Sequence, residues 1–172
     1  TIRASVIYSN EDDMKQLFES AGFVISSIYE WFDFGTQGDP TPGYCLIDLA
    51  NRMNVKKVLV IPGFIRIKWK FIRKMTMHNM AETLKKLVSY GKRKDVVITL
   101  EDFDDYMAPY SNSFELQWFL DQVADLKITF DTGNFLYQEE DELEAFTLLQ
   151  KNIVDVHLKD RSFTEVEGED YK

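Results

Sequence analysis

The sequence predicts an α/β protein built on parallel strands joined by helical crossovers. Three observations lead there. Short β-branched runs alternate with longer amphipathic ones along nearly the whole chain. Runs such as VVITL are nearly continuously apolar, as strands covered on both faces are. Three successive runs lead into a residue able to ligate a metal: Glu101, Asp131 and His157. An open doubly wound sheet and a closed eight-fold barrel both fit this pattern. No glycine-rich phosphate loop follows any strand, which counts against an open-sheet nucleotide binder.

Taken in order, residues 2–8 read as a strand. Asn10 can cap a helix over residues 11–21, with Met14, Leu17 and Phe18 on one face, acids in its first turn and Gly22 as its stop. Residues 23–29 read as a second strand, and residues 33–44, with three Gly and two Pro, as the loop that follows. Residues 45–53 are helical in pattern and residues 55–61, VKKVLVI, form a buried strand ended by Pro62-Gly63. Residues 75–90 read as a strong helix, with Met80, Leu84, Leu87 and Val88 on one face and Gly91 as the stop. Residues 96–100 are a strand. Ser113 can cap a helix over residues 114–123, residues 126–130 are a strand, residues 139–150 a helix, and residues 153–158 a sixth strand. Residues 162–172 are polar and lack a period.

At 172 residues the chain fits one domain or a large part of one, and a hydrophobic content of 45% with 13 Phe and 8 Tyr supports a dense core. The formal net charge of −9 argues against a general nucleic-acid binder. Ten of the 20 basic residues nevertheless lie between Arg66 and Lys94. They read either as a loop and a solvated helix face or as an electropositive rim for a phosphorylated ligand. Cys45 is the single cysteine, so an internal disulfide and a thiolate zinc cluster are both excluded. No run of 18 apolar residues suggests a membrane span, and residues 1–10 lack a secretory pattern, so a cytoplasmic location is the default expectation. There is no initiator Met, so the chain need not begin where its gene does.

In a parallel barrel the carboxyl ends of all strands meet on one rim. Glu101, Asp131 and His157 would then lie side by side. Two carboxylates and an imidazole form a mixed oxygen/nitrogen site suited to Mn²⁺, Mg²⁺, Co²⁺ or Zn²⁺, with open positions for substrate oxygens. Taken singly, each residue also has an ordinary reading. Glu101 can be a helix cap or surface group, Asp131 can shape a turn in FDTGN with Gly133 at positive φ, and His157 can be a satisfied histidine.

The segments TLEDFDD, TFDTGNF and VDVHLKDR resemble the xylose isomerase-like barrel superfamily, most closely its sugar-phosphate isomerase/epimerase branch. VLVIPGF and SSIYEWFDF are compatible with the same pattern, so the likeness spans residues 4–161. The resemblance implies a (β/α)8 TIM barrel, incomplete in this chain: one partial domain over residues 1–172, with about six βα units of parallel strands. It implies Glu101, Asp131 and His157 as three of four metal ligands. The fourth, a second Glu on a final strand, has no counterpart after Arg161, and Glu165, Glu167 and Glu169 are not assigned to it. The six strands would be the second to seventh of eight. Since such barrels take about 250 residues, the chain reads as a fragment or, less simply, as a short domain closed by a partner chain. A homodimer is among the assemblies this allows.

Substrate contacts are expected from Asn134, where related sequences often hold a His, and from Asp102, where Asn is common. Lys159 and Arg161 of HLKDR can hold a phosphate or hydroxyl, or simply pair with Asp160. The function implied is a metal-dependent isomerase or epimerase of a small sugar, sugar phosphate or polyol, working by enediolate-type proton transfer. Glu101 is the expected catalytic group as well as a ligand. The alternatives are a non-catalytic sugar-binding barrel and an endonuclease IV-like repair enzyme. The latter resembles a multi-zinc design richer in His than a chain holding only His78 and His157.

Overall fold

The computed structural model describes residues 1–66 and 69–161. Lys68 of the basic stretch and Glu165, Glu167 and Glu169 lie outside the described residues. Six parallel strands pair in sequence order: β1 (Ile2–Arg3), β2 (Ile28–Trp31), β3 (Lys57–Ile61), β4 (Val97–Glu101), β5 (Lys127–Asp131) and β6 (Ile153–His157). The crossovers are α1 (Ala4–Tyr8), α2 (Glu11–Ser20), α3 (Thr41–Arg52), α4 (Lys70–Arg93), α5 (Ser113–Gln122) and α6 (Glu142–Leu149). A doubly wound sheet reverses its strand order at a switch point. This sheet does not, and it curls. Lys57 Nζ on β3 reaches Asp155 Oδ1 on β6 at 2.9 Å, and Thr1 Oγ1 lies 2.7 Å from His157 Nε2. The arrangement is a curled half-barrel with its helices outside.

Alternation along each strand divides the two faces. Val58, Val60, Ile98, Leu100, Ile128 and Phe130 point outward and are buried with Leu46, Ile47, Leu84, Leu87, Leu116 and Phe119 in one core. The inner face is more polar: the hydroxyls of Thr99 and Thr129 lie 2.8 Å apart, and Thr99 also donates to Val58 O. On β6 the outward side chains Val154 and Val156 are 41% and 48% exposed. Among the described residues no helix is long and apolar enough to cross a membrane.

Several boundaries differ from the sequence reading. Residues 2–8 are not one strand: β1 ends at Arg3 and the rest is α1. Ala4 and Ile7 are buried three apart, a helical spacing, and the Glu30 carboxylate accepts the Ser5 backbone N–H at the new helix's start. The run at 23–29 is not a strand until Ile28; Phe23 and Val24 are 69% and 92% exposed. Pairing of Glu30 with Val60 and of Trp31 with Ile61 carries the strand two residues further than its apolar pattern suggested. The loop at 33–44 gives way to helix at Thr41, because Pro42 stands in the first turn, where no N–H is needed, and Asp39 accepts the Thr41 N–H.

Asn10 makes no side-chain cap bond. The caps that do form are Asn112, accepting from Glu115 N, and Asp141, accepting from Leu143 N and Glu144 N. Asp141 therefore starts α6 later than residue 139, behind a 3₁₀ turn at Phe135–Gln138. Helix α4 extends past Gly91 to Arg93, so that glycine is not a stop. The reversal into the next strand is made instead by Asp95, at φ 56°, and the α3–β3 and α5–β5 connections use Asn54 and Asp125 in the same left-handed region. An apolar residue that is buried follows each of them: Val55, Val96 and Leu126.

Among the described residues, four members of the basic stretch are taken up in ion pairs. Lys92 and Lys94, at the end of α4 that feeds the start of β4, pair with Asp125 and Asp48; Lys85 pairs with Glu82 and Arg73 with Glu115. For these residues the solvated helix face is the better description.

Candidate metal centre

Glu101, Asp131 and His157 are the last residues of β4, β5 and β6. Register places Asp131 directly opposite His157, and Glu101 opposite Thr129. One ligand atom from each lies within 4.8 Å of the others. Glu101 is 9% and Asp131 6% exposed, so both carboxylates sit largely out of water. They open onto a cavity of about 320 Å³ whose walls include Tyr29, Trp31, Phe103, Asp104, Asn134 and Lys159. A larger surface depression, about 580 Å³, lies over Leu143, Thr147 and Lys151 on α6, away from these groups.

The electrostatics follow from burial. Burial pushes the Glu101 carboxyl up; its bond with His157 offsets part of this, and the Asp131 charge adds to the rise. His157 Nδ1 bonds Glu101 Oε1, and that bond holds the imidazole's pKa above its usual value against the opposing effect of burial. Thr1 occupies the other ring nitrogen. Asp102 is fully buried, and burial lifts its carboxyl well above the carboxylate range. The Asp131 backbone N–H donated to Oδ1 pulls the other way, at 3.0 Å, while the charges of Asp131 and Glu101 raise it further. Its Oδ2 is buried with no hydrogen-bond partner.

A raised carboxyl pKa means the folded chain keeps protons that the unfolded chain releases. Stability without metal therefore falls as pH rises from the ordinary carboxylate range through the folded values of Glu101 and Asp102. Asp102→Asn keeps the Oδ1 acceptor and removes one of these groups. Thermal melts in chelator from pH 5 to pH 8 should show the variant's midpoint falling less than the parent's, by a few degrees. Parallel curves would mean Asp102 titrates normally.

The other expected site residues divide. Asn134 is buried, donates to Asp102 O at 2.8 Å and accepts from Lys159 Nζ at 2.7 Å. Asn134 and Lys159 reach the cavity; Asp102 lies behind it, holding the Asp131 main chain. Neither cation pairs with Asp160. Lys159 Nζ lies 3.4 Å from Asp104 Oδ2, and Arg161 Nη2 bonds the same oxygen while its guanidinium lies 5.8 Å from the Tyr137 ring centre. Burial raises the Asp104 carboxyl, but Arg161 and Lys159 together hold it below the usual range. Asp104 was inside the TLEDFDD string but not singled out; its place three residues past Glu101, opposite a Lys-x-Arg pair, was the available signal.

Gly133 is not at positive φ. A Cβ there would come within 2.9–3.1 Å of Lys159 Cγ, O and Cβ, so glycine serves the close approach of the chain leaving β6. Thr132 closes the same junction: its N–H donates to His157 O, and its hydroxyl exchanges bonds with the Lys159 main chain, all within 3.0 Å.

A sequence model for the xylose isomerase-like TIM barrel family matches residues 5–170. No curated protein matches the chain. Among solved structures it is similar to a D-tagatose 3-epimerase-like protein, with TM-score 0.75, 20% identity, 91% of this chain and 64% of that one covered. It is similar to the probable 3-DHS dehydratase AsbF of Bacillus anthracis, with TM-score 0.74, 16% identity, and coverage of 91% and 60%. It is also similar to IolI protein with a bound zinc atom, with TM-score 0.73, 14% identity, and coverage of 88% and 59%. At these identities the likeness is one of fold, and the chain spans less than two thirds of each structure.

Proposed function

The chain belongs to the xylose isomerase-like TIM barrel family, and on that premise we propose that it serves a metal-dependent isomerase or epimerase acting on a small sugar or polyol by enediolate-type proton transfer. The observation that carries this is the convergence of Glu101, Asp131 and His157 within 4.8 Å. Their donor set fits a divalent ion: two oxygen donors and one nitrogen donor, mostly buried, with a carboxyl raised by burial that an ion would hold ionised. Support also comes from the zinc in the IolI structure and from the epimerase and dehydratase descriptions of the other similar structures.

Glu101, Asp131 and His157 would hold the ion, which would supply positive charge to acidify a C–H beside a carbonyl. The protein's own groups do the rest. Glu101, at the end of β4, is the candidate for proton removal through the carboxylate oxygen not engaged with the ion. Asp102 anchors the Asp131 main chain from below. Asn134 and Lys159 offer hydrogen bonds to substrate hydroxyls, while Trp31 and Phe103 give the cavity an apolar wall. A fourth ligand is left unassigned.

Hydrogen exchange tests the proposal. Full-length protein loaded with Mn²⁺ or Co²⁺ and given ketoses in D₂O should wash out the proton beside the carbonyl. Chelator and Glu101→Gln should each abolish the exchange. Stoichiometric metal with no exchange on any ketose, aldose or inositol would leave a sugar-binding barrel without this chemistry.

A further inference from the structure

We infer that Asp104 sets the charge preference of the cavity: by holding Lys159 and Arg161 together it makes the site one for uncharged polyols and against phosphorylated or carboxylated ones. This rests on the metal-site reading above and names the substrate class for that site.

Lys159 and Arg161 were the residues expected to grip a phosphate. Both turn to one carboxylate oxygen, Asp104 Oδ2. Lys159 Nζ is also bonded to Asn134 Oδ1 at 2.7 Å, and Arg161 lies over Tyr137. A phosphate approaching either cation meets Asp104, whose own charge lines the cavity and offsets one of the two positive charges. Glu101 and Asp131 add two more carboxylates to the same walls. A divalent ion bound there would be offset by these two carboxylates and would add no net positive charge for a remote phosphate. Arg66 opens onto a neighbouring depression with Asp33, Thr36 and Phe64 instead.

The wall facing these polar groups is aromatic. Trp31 and Phe103 meet edge to face at 5.2 Å, Phe64 and Phe103 at 5.4 Å, and Trp31 and Phe64 lie 5.6 Å apart. Trp31 stays 40% exposed. A neutral sugar has the matching character: a C–H face for the rings and hydroxyls that can both donate to Asp104 and accept from Lys159. A neutral ligand can bond to both members of the Asp104–Lys159 pair, whereas a phosphate can bond only to the cation and is repelled by Asp104.

The test compares D-fructose with D-fructose 6-phosphate by calorimetric titration on full-length, metal-loaded protein, with bound Mn²⁺ counted on the same samples. Fructose should bind at least about tenfold more tightly than its phosphate. Asp104→Asn should shift that ratio at least about tenfold toward the phosphate, and the gain should shrink at high salt. Lys159→Met and Arg161→Met, which remove the cations, should not produce the shift; they serve as the comparison if Asp104→Asn is unstable. A wild-type preference for the phosphate, a ratio unmoved in Asp104→Asn, or no binding of either sugar to metal-loaded protein overturns the inference. Absence of bound Mn²⁺ overturns the metal-site reading instead, so the two failures are distinguishable.

Discussion

Glu101→Gln and His157→Ala should each weaken divalent-metal binding by about 100-fold or more while leaving the fold intact. Removing even a supporting residue outside the ligand set commonly costs 10–100-fold, so loss of a direct donor belongs at or beyond the upper end. The outward side chains of β3, β4 and β5, from Val58 to Phe130, are buried and carry stability, whereas those of β6 stay partly exposed. Melting in excess chelator should differ little between Glu101→Gln and wild type. His157→Ala leaves Glu101 buried without its partner, but the carboxyl can stay protonated, so the cost is modest. A variant that melts far lower in chelator would make the pair structural.

The same groups give metal binding and stability opposite pH slopes. The His157 value is raised by its bond to Glu101, so that bond stabilises the metal-free chain fully below the unfolded value and is lost as pH rises through the folded one. The raised Glu101 and Asp102 values act in the same direction. Metal binding requires a neutral imidazole and ionised carboxylates, so affinity climbs as pH rises through that range.

Gly91→Ala should destabilise the chain by about 1–3 kcal/mol, the usual cost of overpacking. Helix propensity alone favours Ala at an internal position by about 1 kcal/mol. Packing opposes it: a Cβ at residue 91 would stand 2.5 Å from Val96 O and 3.2 Å from Ile98 Cδ1. Val96 O is main chain at the entrance to β4, so the clash pushes α4 off the strand that ends in Glu101. Gly43→Ala is the control. Its Cβ would come within 2.7 Å of Leu87 Cδ2, but that is the flexible end of a side chain, and the loss should be smaller. Thermal melting of both variants settles the order. Gly91→Ala at or above wild-type stability would mean the helix does not pack this closely.

Central strands were legible because burial on both faces leaves an apolar signature that helices and loops do not share. Thus VVITL and its successor LKITF match β4 and β5 to within a residue, and the polar residue ending each is visible as a departure from the run. The edge was not legible. Residues 2–8 have the composition of a strand, but their state is decided by Glu30, a partner 25 residues from Ser5. Helix ends at Asp95, Asn112 and Asp141 escape the sequence for a related reason: Asn10, Ser113 and the glycines carry the expected signals, while a left-handed Asp and other Asn/Asp caps make the turns. At the site, position along a strand sufficed to pick out Glu101, Asp131 and His157 as neighbours. It did not reveal that Asp104 takes up Lys159 and Arg161, that Asp102 faces the main chain of Asp131, or that Gly133 is a contact point, since all three depend on a loop folding back over a strand end.

X-ray absorption spectroscopy of the cobalt- or zinc-loaded full-length protein tests the metal centre most directly. One ion per chain is expected, with one imidazole nitrogen and carboxylate oxygens at about 2.0–2.2 Å for zinc, and imidazole scattering that disappears in His157→Ala. A substoichiometric ion, or a spectrum unchanged in His157→Ala, would contradict the assignment of Glu101, Asp131 and His157 as the metal site.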